Sequence, residues 1–145
     1  HSRQDGCHYK MAQVAGEYGK RAGFKGDMQV VDWATRTQRR ADRKLWEIYS
    51  SHSPCLPEPA RMGALSTSSP GWWETPARKA AVDAFTSEAD PEKRLALWAN
   101  VQKTIYAELP LIKIGDFNAA AAKSNKLDGV DPAPWPYFWN ASVTK

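Results

Sequence analysis

Residues 87–114 have the sequence SEADPEKRLALWANVQKTIYAELPLIKI, which predicts the clearest element of the chain. Asp90 followed by Pro91 is a typical helix start, because a carboxylate caps the free amides of the first turn and proline suits the first helical position. Apolar residues then recur at helical spacing, namely Leu97, Trp98, Val101, Ile105 and Leu109. Pro110 ends the helix, and the apolar run that follows predicts a strand at the start of residues Leu111 to Ala122.

The first third of the chain predicts a helix followed by a strand. Apolar residues at helical spacing mark one face of a helix from Tyr9 to Ala22, and they are Met11, Val14, Ala15, Tyr18 and Ala22. Gly23 suits the left-handed conformation that ends a helix. Phe24 to Trp33 then predicts a strand with apolar residues on both faces, as expected for a sheet covered by helices.

The middle of the chain predicts one further helix and strand before a long loop. Trp33 to Lys44 is rich in Arg and predicts an exposed helix, and Leu45 to Tyr49 predicts a short strand. Ser50 to Pro70 contains four prolines, which remove amide donors and prevent a regular element. Thr75-Pro76 starts another helix. We therefore expect an α/β fold, a mixed sheet flanked by helices, in a single domain over residues 1–145.

The composition excludes several classes of protein. The chain has 145 residues, of which 42% are hydrophobic and 25% are charged, as in ordinary globular domains. No apolar run approaches the roughly 20 residues that span a bilayer. The net charge is +4, and it is concentrated in the first 45 residues. A basic front half is compatible with an anionic partner, but acidic residues are interspersed with the basic ones, and a solvated helix face is the favoured explanation.

The sequence contains few candidates for reactive or metal-binding residues. No Gly-rich phosphate loop and no cluster with metal-ligand spacing is present, so we expect no cofactor and no metal. Cys7 and Cys55 are 48 residues apart, and two free thiols are favoured although a disulfide stays open. His52 has serines on both sides, which leaves a small enzyme with His52 as base as one alternative. The basic Arg36–Lys44 face leaves a nucleic-acid or protein-interaction domain as another.

Seven tryptophans are the strongest remaining signal. Trp33, Trp46 and Trp98 fall on predicted core stripes. Four others lie in predicted loops or in the Pro-rich segment from Pro132 to Asn140, and they are Trp72, Trp73, Trp135 and Trp139. Aromatic side chains in loops beside polar groups are typical of ligand clefts, but they also seal the edges of domains.

The order of these segments resembles the C-terminal part of family 5 extracellular solute-binding proteins, the peptide, oligopeptide and nickel receptors of ABC importers. Residues 87–114 carry the most specific part of the resemblance, an Asp-x-x-x-Arg helix that leaves through Glu-x-Pro into a strand. The other segments that carry it, in chain order, are MAQVAGEYGKRAGF, KGDMQVVDWAT, LWEIYSSH, NKLDGV and YFWN.

The resemblance implies a lobe of the periplasmic-binding-protein type within a larger two-lobed protein. The chain would form the distal part of the second lobe, with residues 132–145 returning to the other lobe. The implied role is to capture a small solute or short peptide in the periplasm or at the outer cell face and deliver it to a membrane permease. The implied partners are this solute, the permease and the remaining lobe, with no nucleic acid and no enzymatic step.

The sequence departs from the peptide-binding relatives at the place where the ligand's amino group would pair with an acidic residue. That place falls near His52, and Glu58 farther along the loop is the nearest substitute. Neutral His and Ser compensate poorly for desolvation of an ammonium group, so an anionic or uncharged ligand is equally compatible. The predicted residues of the cleft rim are Ser51, His52, Ser53, Trp72 and Trp73.

Overall fold

The computed structural model describes residues 6–53, 56–118, 120–131, 133 and 137–144. Four α-helices lie within these residues, and they are α1 (Gly6–Arg21), α2 (Trp33–Arg39), α3 (Pro76–Ser87) and α4 (Pro91–Glu108). Two 3₁₀ turns, Pro59–Arg61 and Gly63–Leu65, precede α3. Two short strands, β1 (Leu127–Asp128) and β2 (Ser142–Val143), form an antiparallel pair that places Leu127 opposite Val143.

Helices α3 and α4 pack against each other and hold the hydrophobic core. Phe85 and Val101 are its most completely buried side chains, and the Phe85 ring lies 5.3 Å from the ring of Trp98. The same cluster includes Leu65 from the second 3₁₀ turn and Trp73 from the loop that precedes α3. The predicted helix over residues 91–108 and its apolar stripe are therefore confirmed, apart from Leu109, which is exposed.

The sequence signals at the helix ends produce the expected caps. Asp90 accepts hydrogen bonds from the amides of Glu92 and Lys93, both at 3.0 Å, at the start of α4. Thr75 accepts one from the amide of Arg78 at the start of α3. Asp32 caps α2, and hydrogen bonds from the side chain and then the amide of Thr35 lower the pKa of its carboxyl group. Each cap satisfies amides that have no partner within the helix.

Two carboxylates tie the loops to this helix pair. Glu58 forms a bidentate ion pair with Arg94 of α4, with N–O distances of 2.9 and 2.8 Å. Glu108 accepts hydrogen bonds from the indole of Trp73 at 2.5 Å and from the Thr75 hydroxyl at 2.6 Å. These contacts bridge 33 to 36 residues of sequence, so they fix residues 58–75 against α4.

The predicted strands differ from the structure. Residues 24–31 and 45–49 lie in no strand, and neither does any described residue between 111 and 122. The helix predicted over Trp33 to Lys44 ends at Arg39, where Arg40 forms its cap. A strand forms only when a neighbouring strand satisfies its backbone groups, and the described residues provide such a neighbour only to β1 and β2. The predicted mixed sheet is therefore not formed within the described residues.

These extended segments leave large apolar side chains in contact with solvent. Phe24 is 71% exposed, Ile48 is 83% exposed and Ile112 is 73% exposed. Helix α1 forms as predicted, but its apolar face stays open, with Tyr18 64% exposed. The accessible surface of the chain is 11480 Å², whereas a compact monomer of 16.2 kDa has about 7,500 Å².

The NKLDGV segment contacts the C-terminal residues 140–144 at a close backbone approach beside Gly129. Gly129 has φ of +74°, and a Cβ atom built there would overlap the backbone carbonyl of Asn140. Only glycine fits this close approach of two backbones. The amide of Thr144 donates to the carbonyl of Lys126 at 2.9 Å beyond the strand pair. Residues 142 and 143 thus pair with residues 127 and 128.

Candidate functional site

An open groove lies beside the aromatic residues of the middle segment. Its volume is about 360 Å³. The residues that line it come from three separate parts of the chain, and they are Arg43, Trp46, Glu47, Gly71, Trp72 and Pro110. We call this the Arg43–Trp72 groove.

Two tryptophans form the apolar wall of the Arg43–Trp72 groove. The rings of Trp46 and Trp72 are stacked, with centroids 5.7 Å apart and planes inclined by 25°. The Trp46 indole donates to the carbonyl of Arg40 at 3.2 Å, which fixes its orientation. The Arg43 guanidinium lies 4.4 Å from the ring centroid of Trp72, the geometry of a cation–π interaction. A positive group and two aromatic faces therefore share one open surface.

The backbone that presents Trp72 is unusual. Gly71 has φ of +114° and Trp72 has φ of +43°, so two consecutive residues lie in the left-handed region. A bulky residue in this region is a genuine outlier that costs on the order of 1–3 kcal/mol. The amide of Trp72 donates to the carbonyl of Ser69 at 2.9 Å, which closes the turn. The turn places Trp72 in the groove and Trp73 in the core.

Trp73 is part of the hydrophobic core. It is 7% exposed, and its indole donates to Glu108. It was predicted for the cleft rim together with Trp72, but it lies behind the groove and not on its open side. Trp73 thus anchors the turn that presents its neighbour.

Arg36 stabilises the segment that leads to the predicted rim. It is 6% exposed, and it is the buried charged residue of the described chain. Its guanidinium donates to the carbonyl of Ser50 at 3.0 Å and lies 4.7 Å from the ring centroid of Trp33 and 5.6 Å from that of Tyr49. The predicted core position of Trp33 is wrong, because its ring is 43% exposed and covers Arg36 from outside. Arg36 therefore fixes the backbone immediately before residue 51.

The polar rim residues follow directly and are exposed. The hydroxyl of Ser51 donates to the backbone carbonyl of His52 at 3.3 Å. The His52 ring lies 6.2 Å from the ring of Phe117, edge to face, and Ser53 is exposed. The hydrogen bond that Ser51 donates therefore goes to the backbone of His52.

Glu58 is committed to a structural contact. Both carboxylate oxygens accept from Arg94, and one also accepts from the amide of Ala60 at 2.9 Å. The Arg94 guanidinium, followed by this amide, lowers the pKa of Glu58 from the ordinary 4.5 to about 2. A ligand's amino group would have to compete with this bidentate pair. The substitute acid expected from the sequence is thus already occupied.

The Arg36–Lys44 face is not a continuous basic surface. Arg36 is buried, Arg39 donates to the side chain of Gln29 at 2.8 Å, and Arg43 lies on Trp72. A nucleic-acid surface requires several exposed cations that follow one direction beside exposed aromatic faces. The arrangement disperses the cations that the alternative hypothesis groups together.

No group of three or more His, Cys, Asp or Glu side chains in the described part of the chain is arranged to hold a metal ion. No helix there is long and apolar enough to cross a membrane. Cys55 and Trp135 lie outside the described residues, as does the side chain of Cys7. Trp139 is described, exposed and stacked on Tyr137 with centroids 4.4 Å apart.

Comparison of the chain with protein-family models, with curated proteins and with solved structures gave no significant match.

The groove contains residues that the sequence did not single out. The sequence predicts an exposed helix that includes Arg43 and a short strand that includes Trp46 and Glu47. The signal available in the sequence was Ser69-Pro70-Gly71 before Trp72, since a Pro-Gly turn allows the positive φ values that turn an aromatic ring outward. The residues that meet this ring are 26 and 29 positions earlier, and no local pattern indicates that approach.

Proposed function

We propose that this chain is the distal part of the second lobe of a solute-binding component of an ABC importer. In this role it captures a small solute or short peptide at the periplasmic or outer face of the cell and delivers it to a membrane permease. The protein binds and releases its solute without a chemical step. The lobe is of the periplasmic-binding-protein type, and its sheet is completed by the rest of the protein.

The observation that carries this proposal is the solvent exposure of segments whose sequence predicts strands. Phe24, Ile48 and Ile112 project into solvent from three separate extended segments. The accessible surface of 11480 Å² exceeds the roughly 7,500 Å² of a compact monomer of 16.2 kDa, which supports a surface that further chain would cover. The same segments are the ones whose sequences resemble strands of the solute receptors. Both facts support a lobe whose sheet and outer layer require further chain.

The polar residues at the end of one of these segments support a ligand-binding role. Ser51, His52 and Ser53 follow the Tyr49 segment directly and are exposed. In open α/β sheets, ligands bind at the ends of strands, where loops present polar groups. Trp72 adds an aromatic face to the same part of the molecule, because Tyr49 donates to the carbonyl of Pro70 at 3.4 Å.

The first test is the reading frame upstream of residue 1. We expect a secretory signal peptide and a few hundred residues in the same frame, since two lobes need them. A stop codon directly upstream, or an unrelated domain without a signal, would contradict the proposal.

The second test measures solute binding by the intact receptor. We expect that His52→Ala changes the affinity for the solute, whereas Thr67→Ala, an exposed position of the same loop region, does not. The 145-residue chain alone should bind solute weakly or not at all, because closure needs both lobes. Tight binding by this chain in isothermal titration calorimetry would contradict the requirement for the other lobe.

A further inference from the structure

The Arg43–Trp72 groove contains two charged side chains without charged partners. Within the described part of the chain, neither Arg43 nor Glu47 forms a salt bridge or a side-chain hydrogen bond. The feature that distinguishes Arg43 from the neighbouring exposed Lys44 is the face of Trp72, whose ring centroid lies 4.4 Å from the Arg43 guanidinium. The guanidinium of Arg43 is thus held in position by an aromatic face while its N–H donors stay available.

We propose that this groove binds the carboxylate of a solute that carries an apolar body next to that group. The inference rests on the proposed function and specifies its solute class.

The guanidinium geometry favours a carboxylate. Arg presents N–H donors in a planar fork that matches the two oxygens of a carboxylate. Stacking on Trp72 restricts the orientation of this fork, so less rotamer freedom is lost when a ligand binds. The left-handed backbone at Gly71 and Trp72 fixes the aromatic platform beneath it. The cationic end of the groove is therefore preorganised.

The rest of the groove defines the remainder of the solute. The stacked rings of Trp46 and Trp72 provide an apolar wall, and Pro110 borders the same groove. Aromatic walls bind apolar groups by burial of surface. Glu47 lines the groove as well, and its carboxylate repels a second negative charge on the ligand. A monocarboxylate with an apolar body matches the Arg43 guanidinium and the Trp46 and Trp72 rings, and it brings no second negative charge to Glu47.

The charge balance around the groove agrees with an anionic ligand. Residues 33–50 contain five basic and two acidic residues. The acid nearest to the predicted rim, Glu58, is already paired with Arg94. The groove itself also contains Glu47, so the feature that favours an anion there is the Arg43 guanidinium fixed on the face of Trp72.

The test titrates the 145-residue chain with matched acids and amides at millimolar concentration. The probes are 3-phenylpropanoate with 3-phenylpropanamide, and N-acetyl-trialanine with its C-terminal amide. The readout is the indole N–H signals of the tryptophans in ¹H–¹⁵N NMR spectra. We expect each acid to shift the signals of Trp46 and Trp72 but not that of the buried Trp73, with affinity at least tenfold higher than for the matching amide.

Variants of neighbouring cations localise the effect. Arg43→Gln should lower the affinity for both acids at least tenfold and leave the amides unchanged. Lys44→Gln removes an adjacent exposed cation and should change the affinity less than twofold. An unchanged Trp73 signal in both variants shows that the core is intact.

Three results would overturn the inference. They are equal affinity for acid and amide, an equal loss in Arg43→Gln and Lys44→Gln, and shifts that appear only with a single-stranded oligonucleotide, which would indicate a polyanion surface. Equal affinity for acid and amide would not contradict solute capture by the complete receptor. Conversely, if acids bind at Arg43 but the protein has no other lobe, the proposed function is overturned and the carboxylate site remains.

Discussion

The helix pair α3–α4 and the segments around residues 24–50 and 110–118 differ in how their apolar residues are used. In the helix pair, Phe85 and Val101 are buried and the loop before it is tied down by Glu58 and Glu108. In the other segments, residues of equal hydrophobicity face solvent. A helix satisfies its own backbone groups, whereas a strand needs a neighbour. The difference separates elements whose backbone groups are satisfied within the helix from extended segments that have no strand partner among the described residues.

The largest expected effect contrasts one phenylalanine from each region. Phe85→Ala should lower the free energy of unfolding by about 3–5 kcal/mol, because it leaves a cavity beside Trp98 in the core. Phe24→Ala should change it by less than about 0.5 kcal/mol, since that side chain is already exposed. Urea unfolding followed by circular dichroism measures both. Equal losses in the two variants would remove the contrast between the regions.

The next effect concerns the carboxylate that links the loop to α4. Glu108→Ala should cost about 1–3 kcal/mol, because it removes the charged acceptor of the Trp73 indole and of the Thr75 hydroxyl. Glu74→Ala is the matched control, as Glu74 is exposed and has no hydrogen bond among the described residues. The measurement is the shift in the urea midpoint. An unchanged urea midpoint in Glu108→Ala would show that apolar contacts alone hold the loop against α4.

A smaller and local effect is expected at the C-terminal turn. Gly129→Ala forces a Cβ atom into the carbonyl of Asn140 at a backbone with positive φ, so β1 and β2 should separate. The amide of Thr144 should then lose its protection from hydrogen exchange while the α4 amides keep theirs. Gly115→Ala, where a Cβ would meet nothing within 4 Å, should leave both unchanged. Retained protection of Thr144 in the Gly129 variant would contradict the pairing.

The smallest effect is a pH dependence of the Glu58–Arg94 pair. Since the pKa of Glu58 is about 2 in the folded chain and 4.5 ordinarily, folding favours the ionised form. The stabilisation is complete above about pH 5 and is lost as the pH falls from 4.5 towards 2. Glu58→Gln should flatten the stability profile in this interval. Glu88→Gln, an acid outside the pair, should not.

The helices were predictable from the sequence and the strands were not. Asp90-Pro91 and Thr75-Pro76 act within one turn of the chain, so their caps appear as predicted. The Phe24 and Leu111 segments have strand-like patterns, but a pattern does not supply the partner that completes a strand. The predicted rim residues Ser51, His52 and Ser53 are exposed, and their role stays a prediction. Trp73 is in the core because Glu108, 35 residues away, accepts its indole hydrogen bond, and no local pattern shows that contact.

Amide hydrogen exchange across the 145-residue chain measures directly whether the strand-like segments have a partner. The structure predicts strong protection in α3 and α4, around Phe85 and Val101, and exchange close to that of an unfolded chain at residues 25–31 and 111–117. If the chain is part of the proposed receptor, the same segments should become protected in the complete protein. If they are already as protected as Val101 in this chain alone, the chain forms its own sheet, and the rest of the proposed receptor is not needed to complete it.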